Sequence, residues 1–308
     1  MAFFCGGSLP ALQRLRVFRG YGAKLLRLAA HGGDLSYAHG VVGRDFLRIG
    51  ERVGMCKVLI RFYEELNDFL PRKVRKTDIE HACDRKRSVK DLIESFGVPH
   101  TEVDLILVNG CSVDFRYVIA DGDRISVYPV FESLDIQNVT RLRPQPLRQS
   151  KFVCDVHLRK LARRLRLLGL DTRFDAAASG AKLIDISNAE GRILLTCDRR
   201  LLMRNDLSRG ICVHERRPDK QVTEVLDRLD LRGECRPFTR CTLCNGVVKE
   251  VRPDDEQFAS LRDTVPEGVR AWCNQYYRCA GCGKVYWQGS HYEKLKKKIE
   301  TLLHGSSH

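Results

Sequence analysis

A chain of 308 residues with 43% apolar side chains has material for two or three domains with ordinary cores. No run of about 18 apolar residues occurs, which excludes a helical membrane span. The formal net charge of +14 calls for a polyanionic partner, nucleic acid before a membrane surface.

Residues 1–54 form an extension without a coherent pattern. Its first 33 residues hold Arg14, Arg16, Arg19, Lys24 and Arg27 and no acid, in the manner of a mitochondrial transit peptide. The alternative is a native start at Met55, one residue before the first strand-like run, with residues 1–54 an over-extended reading frame. Residues 55–133 then read as one small α/β domain. Cys56 to Phe62 is strand-like, Ser88 caps a helix carrying Val89, Leu92, Ile93 and Phe96, and Gly97 ends it. Leu105–Val108 leads into Asn109-Gly110, a hairpin turn, and a last strand follows the Asp121-Gly122-Asp123 turn. Residues 134–150, with Arg141, Arg143, Pro144, Pro146 and Arg148, have the composition of a linker.

Residues 151–233 alternate strand and helix signals, the pattern of a parallel α/β sheet. Lys151 to Cys154 is an apolar run stopping at Asp155, and Arg192 to Cys197 is another stopping at Asp198. Two parallel strands ending this way bring both carboxylates to the carboxyl edge, where open sheets place their sites. Leu158, Leu161, Ala162, Leu165 and Leu168 share one helix face, while Arg159, Lys160, Arg163, Arg164 and Arg166 crowd the remainder without an interleaved acid. That unpaired basic face is expected to meet phosphates, and Arg199 after the second run joins it. Leu183, Ile184 and Ile186 mark a further helix.

Residues 234–308 hold two Cys-x-x-Cys knuckles, Cys241/Cys244 and Cys279/Cys282, expected to bind one structural Zn in a closed tetrahedral site, with a loop from Lys249 to Asn274 inserted between them. The other nine cysteines are scattered, several in apolar runs, which is the usage of a reducing cytosol and points to a cytoplasmic protein. Tyr286 and Trp287 either stack bases or close the small core of this module. Leu295, Ile299 and Leu302 give the last helix an apolar face, with lysines outside.

These segments resemble known families. The turns Val108-Asn109-Gly110 and Asp121-Gly122-Asp123-Arg124-Ile125 are similar to those of ubiquitin-like sulfur carriers, which have a β-grasp fold. The chain lacks their terminal Gly-Gly, so a docking role replaces sulfur transfer. The run Phe152-Val153-Cys154-Asp155, the run Leu165-Arg166-Leu167-Leu168-Gly169, and Glu190-Gly191 through Thr196-Cys197-Asp198 resemble the Mut-seven C-terminal RNase family, a branch of PIN-type nucleases. Bacterial members carry a ubiquitin-like domain before and a zinc ribbon after. The fold class so implied is α/β throughout: a β-grasp ubiquitin-like domain, a PIN-like parallel-sheet domain and a small zinc ribbon. The implied activity is ribonuclease hydrolysis with Mg or Mn held by Asp155 and Asp198. The family's acid at the start of the second helix falls here on Ser179-Gly180-Ala181, and Asp185, one turn on, or Asp175 are the substitutes at hand. Arg159, Lys160, Arg163, Arg166 and Arg199 are the expected RNA contacts. RNA is the expected partner, a protein bound by the ubiquitin-like domain and a homodimer are further ones, and no membrane is expected. The alternatives are a catalytically silent RNA- or ribosome-binding protein, and an adaptor that recruits a protein through its ubiquitin-like domain.

Overall fold

The computed structural model describes residues 56–83, 86–129, 142, 150–252, 255–256, 258–289 and 291–304. The 1–54 extension lies outside these residues, as does the 134–150 linker apart from Leu142 and Ser150. Among the described residues, no helix is long and apolar enough to cross a membrane.

The first domain is a β-grasp. Its strands are β1 (Cys56–Phe62), β2 (Ile79–Cys83), β3 (Val103–Val108), β4 (Cys111–Ser112) and β5 (Arg124–Pro129), in the order β2-β1-β5-β3-β4. β1 and β5 pair in parallel, so a crossover must join them, and helix α1 (Val89–Ser95) lies in it. Val58, Ile60 and Phe62 alternate inward from β1 onto Val89, Leu92 and Ile93 of that helix. Ser88 and Asp91 make the capping box that starts α1. Asn109 and Gly110 both take positive φ and close the two-residue β3–β4 turn, as their pairing in the sequence predicts.

The second domain is a four-stranded, wholly parallel sheet in the order β7-β6-β8-β9, built from β6 (Lys151–Cys154), β7 (Asp171–Phe174), β8 (Ile193–Thr196) and β9 (Gly210–Cys212). Helix α2 (Arg159–Leu167) buries the predicted stripe of Leu161, Ala162 and Leu165, with Leu158 and Leu168 at its ends, against Phe152, Cys154 and Leu195 on one face. Gly169 follows in the left-handed region (φ +87°), where the carbonyl oxygen of Arg236 would stand 2.0 Å from a β-carbon. Only glycine fits both demands. Helix α3 (Gly180–Glu190) covers the other face with Leu183, Ile184 and Ile186 against Val153 and Leu194. A short helix α4 (Arg199–Leu202) follows β8, and α5 (Pro218–Arg228) packs beside α2.

The two domains share one core. The apolar cluster of the β-grasp continues through Leu207 and Cys212 into the α3 face of the parallel sheet. A buried polar lock reinforces it. Glu102, fully buried, accepts from the backbone N–H of Cys212 at 2.5 Å and pairs with Arg228 of α5. Arg228 also donates to the Cys212 carbonyl at 2.9 Å. Removing one partner of a buried pair leaves an uncompensated charge, so Glu102→Ala should lower stability by about 3–5 kcal/mol, read from urea unfolding of the whole chain.

The third element is a three-stranded antiparallel sheet, β10 (Val248–Val251), β11 (Tyr276–Cys279) and β12 (Val285–Trp287). The expected inserted loop carries two short helices, α6 (Phe258–Asp263) and α7 (Glu267–Arg270). They bring Leu261, Val265 and Val269 onto Tyr276 and Trp287, a small core of their own. Helix α8 (Tyr292–His304) lays Ile299 and Leu302 onto the α2 side of the parallel sheet, whereas Leu295 stays exposed.

Candidate functional site

Asp155 and Asp198 stand where the sequence places them, one after β6 and one after β8, which are neighbours in the sheet. The link between them is Thr196. Its hydroxyl donates to an oxygen of Asp155 and accepts the backbone N–H of Asp198 at 3.0 Å. The other Asp155 oxygen accepts from the His157 N–H at 2.7 Å, and Asp198 accepts from the Arg200 N–H at 2.9 Å. Asp155 is only 4% exposed and thus fixed, while Asp198 faces solvent. Between them in sequence, the Cys197 thiol has its pKa raised, chiefly by burial and further by the charges of Asp155 and Glu224.

The other acids lie apart. Asp185 is on the exposed side of α3, within electrostatic reach of Arg204. Asp175 accepts the Ala177 N–H in a turn after β7. Ser179 caps α3, accepting from the Lys182 N–H. Among the described residues no third carboxylate joins Asp155 and Asp198 within 4.8 Å. Each carboxylate oxygen keeps spare lone pairs. A pair of carboxylates with several waters and a substrate phosphate is how proteins commonly hold Mg²⁺, so the donor set fits a hydrated divalent ion.

A rim around this edge comes from the β-grasp domain, which the sequence did not reveal. Phe69, at the end of the 3-10 turn Glu64–Phe69, sits with its ring 4.9 Å from the His214 imidazole and 5.0 Å from the Arg199 guanidinium. Arg199 also donates to the Phe69 carbonyl at 3.4 Å. The residue expected to bind RNA is thus steered by the neighbouring domain. Glu224 of α5 holds His214 from the other side. Burial disfavours its charge, but hydrogen bonds from the His214 ring and from the N–H groups of His214 and Glu215 hold its carboxyl below the usual range.

The basic helix divides in two. Arg159, Lys160 and Arg163 are exposed, as a phosphate-facing set requires. Arg166 is not: it is 4% exposed, and it donates to the carbonyls of Thr172 at 2.7 Å and Leu243 at 2.8 Å. Its assignment as an RNA contact is therefore corrected. On the buried face of α2, the guanidinium anchors the first cysteine knuckle to edge strand β7. Asn245 completes the joint, accepting the Thr172 N–H at 3.0 Å and donating to Asp171 at 2.8 Å. Burial penalises the Asp171 charge, yet Arg192, Asn245 and Arg240 hold its pKa below the usual range. Paired this way, the edge of β7 is covered. Arg163→Ala should weaken RNA binding and flatten its salt dependence by about 0.7 in log–log slope, the share of one phosphate contact on a single strand. Arg166→Ala should leave that slope unchanged and instead lower the unfolding midpoint. Anisotropy titrations at several salt concentrations beside urea melts separate the two.

Cys241, Cys244, Cys279 and Cys282 converge so that their sulfurs lie within 4.8 Å of one another. The Cys241–Cys282 and Cys244–Cys279 separations are 3.7 and 3.3 Å. Four sulfurs about 2.3 Å from one ion stand roughly 3.8 Å apart, so this cluster fits tetrahedral zinc and leaves no open position. Burial opposes the Cys241 thiolate, but the Tyr286 hydroxyl at 3.0 Å and nearby amides outweigh it and bring its pKa down to about 6. Cys244 is pushed up to about 12 by burial and by its sister thiols. Tyr286 thus bonds a cysteine and Trp287 packs on the core beneath α6, the contacts that the core-closing reading requires. Cys235 and Cys273, expected not to be ligands, lie outside the cluster.

Comparison with known proteins gives matches in the same order along the chain. A Mut7-C ubiquitin model matches residues 55–135 and a Mut7-C RNAse domain model matches residues 150–299. The chain is also similar to the exonuclease mut-7 homolog of Homo sapiens, 24% identical over an alignment 231 residues long that covers 51% of this chain and 26% of that protein. It therefore spans about a quarter of the relative's length. No solved structure matches it. The RNAse-domain match supports a nuclease function in general, and the chain belongs to the Mut7-C family, its ubiquitin domain preceding its RNAse domain.

Proposed function

We propose that the protein is a divalent-metal-dependent ribonuclease whose reacting phosphate sits over Asp155 and Asp198. The observation that carries this reading is the Thr196 hydroxyl, which at the sheet edge bonds the Asp155 carboxylate and the backbone N–H of Asp198. Mg²⁺ or Mn²⁺ held there would neutralise charge on the scissile phosphate and activate water. Asp155, locked by Thr196 and His157, presents a fixed oxygen, and solvent-facing Asp198 presents the second. Arg159, Lys160 and Arg163 on α2 and Arg199 on α4, all exposed, would place the RNA backbone. The zinc of the cysteine cluster is structural.

Incubating end-labelled single-stranded and structured RNA with the protein in Mn²⁺, with and without the metal, tests this. Metal-dependent cleavage is expected, and intact RNA under all conditions would overturn it. A second reading, RNA binding without cleavage, is favoured by one feature: Asp185 stands outside the carboxylate pair, so the pair alone must hold the ion. Tight RNA binding with no cleavage in either metal would select it.

A further inference from the structure

Beside the carboxylate edge lies a cavity of about 160 Å³ lined by Arg159, Ala162, Arg163, Arg166, Phe174 and Leu243. It is a built feature. Arg166 fixes its rear wall through the Thr172 and Leu243 carbonyls, and Leu243 itself, between two cysteine ligands, projects into solvent with 55% of its surface exposed. No acid lines it. Phe174 is half-buried, and the Arg159 guanidinium hovers 5.5 Å from its ring centroid. Phe174 ends β7 in register with Cys154, the residue before Asp155. Adjacent strands lie about 4.8 Å apart, so the ring stands one strand away from the first carboxylate.

We infer that this cavity takes one unstacked nucleobase of a single-stranded RNA, stacked on Phe174, with Arg159 and Arg163 on the adjoining phosphates. The inference rests on RNA being the substrate of the edge next to it. An apolar floor with an aromatic face and a rim of two arginines suits a base and its phosphates, and the exposed Arg159 can leave the ring because base–aromatic stacking outweighs an exposed cation–π contact. A base inside an A-form duplex cannot reach such a floor, so the pocket selects single strands and sets a splayed base beside the reacting phosphate. It also gives the zinc cluster a part in recognition, since the knuckle that carries Leu243 forms one wall.

The test is equilibrium binding of a short 2-aminopurine-labelled single-stranded RNA to the zinc-loaded full chain without added Mg²⁺ or Mn²⁺. Phe174→Leu should weaken binding about tenfold and remove the change in 2-aminopurine fluorescence that accompanies binding to the parent. The same RNA with abasic positions should bind parent and variant equally. Leu243→Asp, at an exposed position, should weaken binding comparably by placing an acid at the mouth. Undiminished affinity in both variants, with zinc content and melting unchanged, overturns the pocket, and so does parent protein that binds abasic and intact RNA alike. Cleavage is not the readout. A protein that fails to cut in Mn²⁺ but loses affinity through Phe174→Leu overturns the nuclease reading and leaves the pocket standing.

Discussion

Cys279→Ala releases the zinc and unfolds the ribbon. Cys279 is buried in β11, opposite Val248, and its sulfur lies 2.8 Å from where a β-carbon on Gly246 would be. The core beneath it holds five buried side chains, Val251, Leu261, Val265, Cys273 and Tyr276, too few to sustain so small a unit alone. Structural zinc supplies on the order of 10–16 kcal/mol in such modules, and three remaining thiolates would hold it far less well. Hydrogen exchange should therefore become fast across Val248–Val251 and Tyr276–Cys279, with zinc content falling below one per chain. The damage should spread. Arg166 would lose the Leu243 carbonyl at 2.8 Å and the Thr242 carbonyl at 3.3 Å and be left as a buried, under-bonded cation, which costs the parallel-sheet domain a few kcal/mol. Cys273→Ala, in the same core but outside the cluster, keeps the metal. Full zinc retention in Cys279→Ala would disprove the four-sulfur site.

Local chemistry made much of this molecule legible. The α2 stripe, the capping Ser88, the Asn109-Gly110 turn and the strand-end aspartates each announce themselves over a few residues, because helix period, cap and turn geometry are set within one or two turns of chain. Strands β7 and β9 escaped notice: Asp-Thr-Arg-Phe and Gly-Ile-Cys are too short and too mixed for a period of two to show. The residues that assemble the site were hidden for a different reason. Thr196 reaches Asp155 across 41 positions, Arg166 reaches Leu243 across 77, Arg228 reaches Glu102 across 126 and Arg199 reaches Phe69 across 130. Such pairs exist only once the strands are ordered and the domains docked. A basic residue on a basic helix looks alike in sequence whether it stands in solvent, as Arg163 does, or plugs a joint, as Arg166 does.

Asp198→Asn should abolish cleavage while preserving the fold and the RNA affinity. The amide keeps the volume of the carboxylate, and its oxygen can still accept the Arg200 N–H that starts α4, so the turn after β8 survives. The charge is what disappears. With two carboxylates carrying the ion, losing one removes half of the anionic ligand set, and Lewis-acid stabilisation of several kcal/mol corresponds to about 10³-fold in single-turnover rate. RNA should bind at least as tightly as to the parent, because a negative group beside the phosphates has been neutralised while Arg159, Lys160 and Arg163 are untouched. Thr196→Val separates positioning from ligation. It removes the hydroxyl that holds the Asp155 carboxylate and the Asp198 backbone N–H but leaves both charges, so it should slow cleavage by less than Asp198→Asn and respond to raised Mn²⁺, which the Asp198 variant should do only weakly. Single-turnover rates across a Mn²⁺ titration, beside anisotropy of the same RNA, give both quantities. An Asp198→Asn protein that cuts within tenfold of the parent would move the chemistry away from this edge.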